Sequence, residues 1–552
     1  MALSKGGLLL QQLLDLGRTP GEDEVSKVIS LKLDQWKENP RAATVVLNSL
    51  ARHRLPRIAN HVLALMQLRS VETDVFHYNV AIGACAKGRE WQLALKLLIS
   101  MPDKRVIPDE ISCNTAISAC EKGGQWQLAL SIISSMPDER VMPNEISYSA
   151  AISACAKEGQ WQPALSLLSS MPGIRIVQDE ISFSSAISAC EKGGQWQLAL
   201  SLLSSMPDMR VVPNKFSYGA AISACEKRGQ WQLALSLLHS MPEMEVVPDN
   251  ICYSAAMSAC EKGGQWQLAI SLLSSMPGMG MAPNDISFNA AISACEKGGE
   301  WQLALALLSS MPDRSVIPNA ISYSAVISAC EKAGRWQSAL SLLSSMLEKR
   351  VRPNEITYSA AISACAREGK WLPALSLLSG MPGRRLAQDD ISYSAAISAC
   401  AEGGQWQLAL RTLSSMPDMA IVPSKMSFSA AISACERGHQ WHLALKLLDQ
   451  MPHVKLLPDL PCFASAILAC VQCSHWQVAF GLKGEMLRLG VQPDQFTFGA
   501  LLAECEQRSL LPTEHDLAKL LSESNNINNN NNSNININNN NNNKQLVMGL
   551  RS

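Results

Sequence analysis

Apolar residues recur along this chain in short helical runs, and the runs themselves recur. In the stretch 110–144, Ile111, Asn114/Thr115, Ile117 and Cys120 fall three or four places apart. After Gly123-Gly124 a second run carries Trp126, Ala129, Leu130, Ile133 and Met136 at the same spacing. That spacing lines one face of an α-helix, so two short helices are predicted. Glycine is costly inside a helix and favoured just past its end, so the Gly pair marks the turn between them. Proline restrains the residue before it and clashes with a continuing helix. The Met-Pro steps, at Pro102, Pro137, Pro242 and Pro452 among others, are therefore expected to end the second helix early. Ser147, just after Pro143-Asn144, is expected to cap the next helix. Each unit then reads helix, Gly turn, helix, Pro-containing link.

The units repeat with a period of 35. Tryptophan stands at 91, 126, 161, 196, 231, 266, 301, 336, 371, 406, 441 and 476, and only Trp36 lies outside the series. A fixed period of this size marks an array of like supersecondary units, each too small to bury its own apolar face. An all-α solenoid of tandem helix-turn-helix hairpins follows. Twelve full units span 75–494, and 495–523 is a partial one. Residues 40–74 form a degenerate capping repeat, with Ala59 and Met66 at the places held by Ala94 and Met101 in the next unit. Residues 1–39 are read as either helical or targeting. The Asn-rich tail, 524–552, has nothing to bury and is expected to be disordered.

Composition adds limits. The formal net charge is −1, which withholds the basic excess usual in nucleic-acid binders unless a basic stripe sits inside the balanced total. No apolar run approaches membrane-spanning length. Thirteen of the seventeen cysteines recur once per unit, from Cys85 to Cys505. At that spacing they read as small apolar packing residues rather than as disulfide partners.

The unit pattern I-S-Y-S-A-A-I-S-A-C-E-K-G-G-Q-W-Q-L-A-L…M-P…V-x-P-N/D has a Tyr or Phe four places into the first helix. It also has a lone Lys before the inter-helix Gly and Asn or Asp after Pro at the unit end. This pattern resembles the pentatricopeptide repeat family. The resemblance covers 75–494 well and 40–74 weakly. It implies a right-handed superhelix that binds single-stranded RNA, one base per repeat, read by two or three side chains.

On that resemblance, the apolar residue at unit position 2 wedges between bases. Here these are Phe76, Ile111, Ile146, Ile181, Phe216, Ile251, Ile286, Ile321, Ile356, Ile391 and Met426. Such stacking gives affinity without choosing a base. The cation at position 13 meets phosphate: Lys87, Lys122, Lys157, Lys192, Lys227, Lys262, Lys297, Lys332, Arg367 and Arg437. Glu402 breaks the row and Gln472 ends it. A cation near a helix C-terminus also suits the macrodipole.

Positions 5 and 35 read the base edge in the family. The pairs are Asn79/Asp109, Asn114/Asn144, Ser149/Asp179, Ser184/Asn214, Gly219/Asp249, Ser254/Asn284, Asn289/Asn319, Ser324/Asn354, Ser359/Asp389, Ser394/Ser424, Ser429/Asp459 and Ala464/Asp494. Hydroxyls, amides and carboxylates suit a Watson–Crick edge. The family code turns the first eleven pairs into U-Y-G-A-?-A-Y-A-G-?-G. Asn or Asp after Pro is also ordinary turn chemistry, and Ser near a helix start an ordinary cap.

No catalytic constellation or cofactor site stands out. Cys470 and Cys473 form one CxxC without a second pair, and His475 is misplaced for haem attachment. Cys435, His439 and His442 lack a fourth ligand. The resemblance implies a monomeric, non-enzymatic protein acting on organellar transcripts, in mitochondrion or chloroplast, alongside RNA-processing proteins. The weak N-terminal signal leaves the compartment open. The rival reading is a scaffold that holds an extended peptide in the same groove.

Overall fold

The computed structural model describes residues 5–501, apart from 18–20, 39–40, 139, 493, 495–496, 498 and 500. The Asn-rich tail and most of the partial repeat at 495–523, Cys505 included, lie outside the described residues. Among the described residues every regular element is helical and none is a strand. Two compact units divide the chain at Ala294/Cys295.

The first unit opens with α1 (Lys5–Asp15), α2 (Glu22–Glu38), α3 (Arg41–Arg52) and α4 (Pro56–Leu68). Leu13, Val25, Ile29, Leu33 and Trp36 join Leu47, Leu50, Ile58 and Val62 in one buried cluster. The segment ahead of residue 40 is therefore helical where described, and it covers the apolar end of the α3–α4 hairpin. Six first helices follow, here called A, from Val75–Gly88 to Asn250–Lys262. Each is followed by a B helix that begins on its tryptophan, from Trp91–Asp103 to Trp266–Ser275. The second unit repeats the scheme, with A helices from Ala320–Lys332 to Leu460–Gln472 and B helices from Trp301–Ser310 to Trp476–Arg488.

Small side chains explain how A helices stack. In Glu145–Lys157, Ala151, Ile152, Ala154 and Cys155 are fully buried, and this helix packs against Glu110–Lys122 before it and Glu180–Lys192 after it. Alanine and cysteine let neighbouring backbones approach closely. Burial pushes the Cys155 and Cys190 thiols up to about 11, and Cys85 up to about 12. Thiols held protonated in this way are packing residues, and none of the described cysteines is paired in a disulfide.

The GGQW string is a joint between repeats. Gly124 takes φ +70°, a left-handed conformation glycine adopts without steric cost. Gly123 lies beneath the tryptophan of the preceding repeat. A Cβ there would come within 2.4 Å of Trp91 Cδ1. The two glycines thus ease the joint for different reasons, although Glu158 and Ala333 replace the first and Arg89 and His439 the second in other repeats.

Two sequence expectations change. The N-cap of helix Glu145–Lys157 is Asn144, not Ser147. The Asn144 side-chain oxygen reaches the Ser147 N–H at 2.9 Å, and the Ser147 hydroxyl in turn accepts from the Asn144 N–H. Ser147 therefore closes a capping box from the third helical position. Proline at position 28 ends the α-helix in some repeats, where it opens a short 3₁₀ turn, as at Pro172–Ile174. At Pro102, Pro242 and Pro452 the helix instead runs on to Asp103, Glu243 and His453. In the last turn proline forfeits a single hydrogen bond, so the helix survives it.

Candidate nucleic-acid interface

Position 2 is where the apolar pattern and the core part company. Ile111 sits at helical spacing with the buried residues of its helix yet is 57% exposed, and Phe76, Ile181, Phe216 and Met426 are also exposed. The same holds for Ile146, Ile251, Ile286, Ile321, Ile356 and Ile391. A large apolar side chain exposed at one position of repeat after repeat has no packing role in the stack.

Positions 5 and 35 are brought side by side. Asn79 Nδ2 donates to Asp109 Oδ1 at 3.0 Å, and Asn114 Nδ2 to Asn144 Oδ1 at 3.2 Å. Ser184 Oγ lies 3.4 Å from Asn214 Oδ1. Position 35 also caps the following A helix. Asp109 Oδ1 accepts from the Ser112 N–H at 2.7 Å, and Asn354 Oδ1 from the Thr357 N–H at 2.9 Å.

The sequence leaves position 35 open between base reading and ordinary turn chemistry, and the structure gives it a capping duty in repeat after repeat. Asp179 Oδ1 accepts from the Ser182 N–H at 2.9 Å, and Asp249 Oδ1 from the Cys252 N–H at 3.0 Å. Asn284 Oδ1 accepts from the Ser287 N–H at 2.9 Å, and Asn319 Oδ1 from the Ser322 N–H at 3.0 Å. Asp389 does the same for Ser392 at 2.9 Å, and Asp459 for Cys462 at 3.4 Å. The first N–H groups of a helix have no partner inside it, so the side chain standing just ahead is drawn to them. The cap fixes which atom remains for a ligand. An asparagine cap such as Asn284 spends its oxygen on the helix, and its remaining polar group is an NH2 donor. An aspartate cap (Asp179, Asp249, Asp389, Asp459) leaves its second oxygen as an acceptor. Ser424 has only one oxygen, which is engaged by Ser427.

Serines at position 5 are committed differently. Ser149, Ser324 and Ser359 donate to the backbone carbonyl four residues back, at 2.5, 2.6 and 2.8 Å, so each offers the groove lone pairs only. Ser254 Oγ is buried without a partner among the described residues. Burial acts to raise the Asp109 carboxyl. Hydrogen bonds from the Ser112 N–H and hydroxyl and from Asn79 outweigh it and hold the group below the usual carboxylate range.

Sequence reasoning did not single out two partners. Position 3 is a buried hydroxyl, as at Ser112, whose Oγ donates to Asn79 Oδ1 at 2.5 Å and orients that amide. The signal was present as Ser three places after the capping Asp or Asn. Position 1 is the other: Glu110 and Glu180 accept from the NH2 of Asn144 and Asn214. Each carboxylate engages that NH2 and orients the amide across the joint between repeats.

The position-13 cations lie in one row but not as an open stripe. Lys157 pairs with Glu121 at 3.0 Å, Lys227 with Glu191 at 3.0 Å and Lys262 with Glu226 at 2.9 Å. In the second unit, Lys332 pairs with Glu296 at 3.1 Å and Arg437 with Glu402 at 2.6 Å. Arg367 donates to the Lys332 carbonyl at 3.0 Å. Each Lys–Glu pair joins position 12 of one repeat to position 13 of the next.

All these positions converge on a cavity of about 370 Å³ in the first unit. Ile181 and Phe216 form apolar walls, Ser184 and Asn214 supply polar atoms, and Lys157 and Lys192 stand at the rim. Apolar walls, one hydrogen-bonding edge and nearby cations make a place for a flat polar ring attached to an anion. Among the described residues, no group of three or more His, Cys, Asp or Glu could hold a metal ion.

Comparison with known proteins identifies the repeats. The PPR repeat family matches at 108–157, 283–332 and 318–367, and PPR repeats match individually at 146–176, 181–211, 216–246, 356–386 and 391–421. A pentatricopeptide repeat domain matches at 236–298, and a pentatricopeptide repeat-containing protein family at 42–122. No curated protein matches the sequence significantly. The crystal structure of the pentatricopeptide repeat protein PPR10 from maize is similar with a TM-score of 0.59 at 20% identity, over 94% of this chain and 84% of that one. PPR10 in complex with an 18-nt psaJ RNA element gives a TM-score of 0.46 at 19% identity, over 91% and 82%.

Proposed function

This chain belongs to the pentatricopeptide repeat family, and on that premise we propose that it is a non-catalytic, sequence-selective binder of single-stranded RNA. Each repeat takes one base. The base stacks between successive position-2 side chains and presents its edge to positions 5 and 35. The observation that carries this reading is the cavity bounded by Ile181, Phe216, Ser184 and Asn214, because it assembles both roles at one point. An RNA held base by base cannot fold or be degraded along the covered stretch, so the protein protects or remodels a transcript. The family resemblance supports an organellar transcript as the target.

Base edges are free only in a single strand. Fluorescence anisotropy will therefore show binding to an unstructured RNA carrying the encoded string and at least about tenfold weaker binding once its complement is annealed, a loss of roughly 1.4 kcal/mol. Equal affinity for strand and duplex contradicts the reading. Failure of any RNA to bind, with capture of an extended peptide instead, moves the groove to the rival class.

A further inference from the structure

The row of cations is not uniformly available, and the letter at position 12 decides where it is. Where a repeat reads ACEK, its Glu reaches forward and neutralises the cation of the next repeat, as Glu121 does Lys157, Glu191 does Lys227 and Glu226 does Lys262. Where it reads ACAK, no carboxylate is there to reach. Ala86 precedes Lys122 in this way, and Ala156 precedes Lys192. Lys87 follows the degenerate repeat, which has Ala51 at the corresponding place. Lys192 Nζ donates to the Lys157 carbonyl at 3.2 Å, and Ala156 lines the cavity at whose rim Lys192 stands.

Resting on the RNA-binding reading above, the structure assigns the phosphate grip to Lys87, Lys122 and Lys192, all in the first unit. The position-12 glutamates silence Lys157, Lys227, Lys262 and Lys332. Exposed ion pairs of this kind add little stability. Their effect is electrostatic: a lysine already paired displaces no counterion when a phosphate arrives. In the second unit Arg437 is held by both oxygens of Glu402, and Arg367 lies in the field of Glu331, the position-12 carboxylate of the preceding repeat. RNA there is held by stacking and base edges rather than by charge.

The test is the salt dependence of affinity for an unstructured RNA carrying the encoded string, measured on the full chain. For a single strand, taking away one lysine–phosphate pairing flattens the slope of log affinity against log salt by about 0.7. K87Q/K122Q/K192Q is expected to flatten it by about 2. Removing two complete pairs away from that cavity, with E191Q/K227Q and E226Q/K262Q combined, leaves it unchanged. The double variant A86E/A156E supplies the missing partners and flattens the slope by about 1.4 without touching a lysine. Thermal melting by circular dichroism confirms that each variant is folded. A slope unmoved by the lysine triple overturns the assignment, as does equal flattening by the pair deletions. A wild-type protein that binds no single-stranded RNA fails the functional reading itself, which separates the two failures.

Discussion

Met206→Ala will open the array at its fourth repeat. Met206 is wholly buried at the end of helix Trp196–Ser205, and its carbonyl accepts from the Val211 N–H at 2.9 Å, tying the link back to the helix. Truncating a buried methionine to alanine costs about 2–5 kcal/mol, from lost transfer energy plus the cavity left behind. A repeat in a solenoid touches only its neighbours, so the loss stays local and breaks the cooperativity of the stack there. Hydrogen exchange is the right observable, because long arrays depart from two-state unfolding. Helices Glu180–Lys192 and Trp196–Ser205 should lose protection first. Met206→Leu, which keeps the volume, should cost less than about 1.5 kcal/mol. The exposed Val212 is the control, and its replacement by alanine should fall within about 0.5 kcal/mol of zero. Uniform loss of protection along the chain contradicts the local account.

The second large effect separates two duties of one residue. Asp109 caps helix Glu110–Lys122 and, on the proposed function, reads a base together with Asn79. Asp109→Ala removes both, costing about 1 kcal/mol of stability through the cap. It also removes about 1.5–3 kcal/mol of base recognition, the range for hydrogen bonds to a charged group. Asp109→Asn keeps the cap, since asparagine caps as well as aspartate, but replaces the outward acceptor by a donor. Stability should hold while the first repeat's preference moves from U towards pyrimidines in general. The two variants also differ with pH. The Asp109 carboxyl is held below its ordinary value in the folded state, so its contribution is present above the unfolded pKa and lost as pH falls through the folded one. Asp109→Asn removes that acid-side loss. If Asp109→Asn destabilises as much as Asp109→Ala, position 35 has no cap to keep; if base preference is indifferent to both variants, it has no reading role.

Periodicity made the architecture legible. Helix, Gly turn and helix are fixed by residues within a few places of one another, and the fixed tryptophan spacing repeats that local answer along the chain. The exposure of the position-2 residues was readable only through the family resemblance, because Ile111 falls at the same helical spacing as the buried residues of its helix. What stayed hidden lies between repeats. Glu121 and Lys157 are neighbours only after stacking, so their pairing could not be read from a charge row. The direction of the Asn144 NH2 depends on its oxygen being spent on Ser147, a choice made by cap geometry rather than by residue type. Ser147 looked like the cap because serine caps well in general; Asn144, three residues earlier, holds the position with the free N–H within reach. The same geometry divides the duty of Asp179, Asp249, Asn284, Asn319, Asp389 and Asp459 between helix and groove.

Selection of bound sequences from a random RNA pool, with the wild-type chain, tests the central claim most directly. The account predicts enrichment in one register of U-Y-G-A, a free position, A-Y-A-G, a free position and G. The second free position falls on Ser394 with Ser424, whose cap oxygen is engaged by Ser427. A bound pool with the base composition of the starting pool, or one enriched in a motif unrelated to the position 5 and 35 pairs, would contradict it.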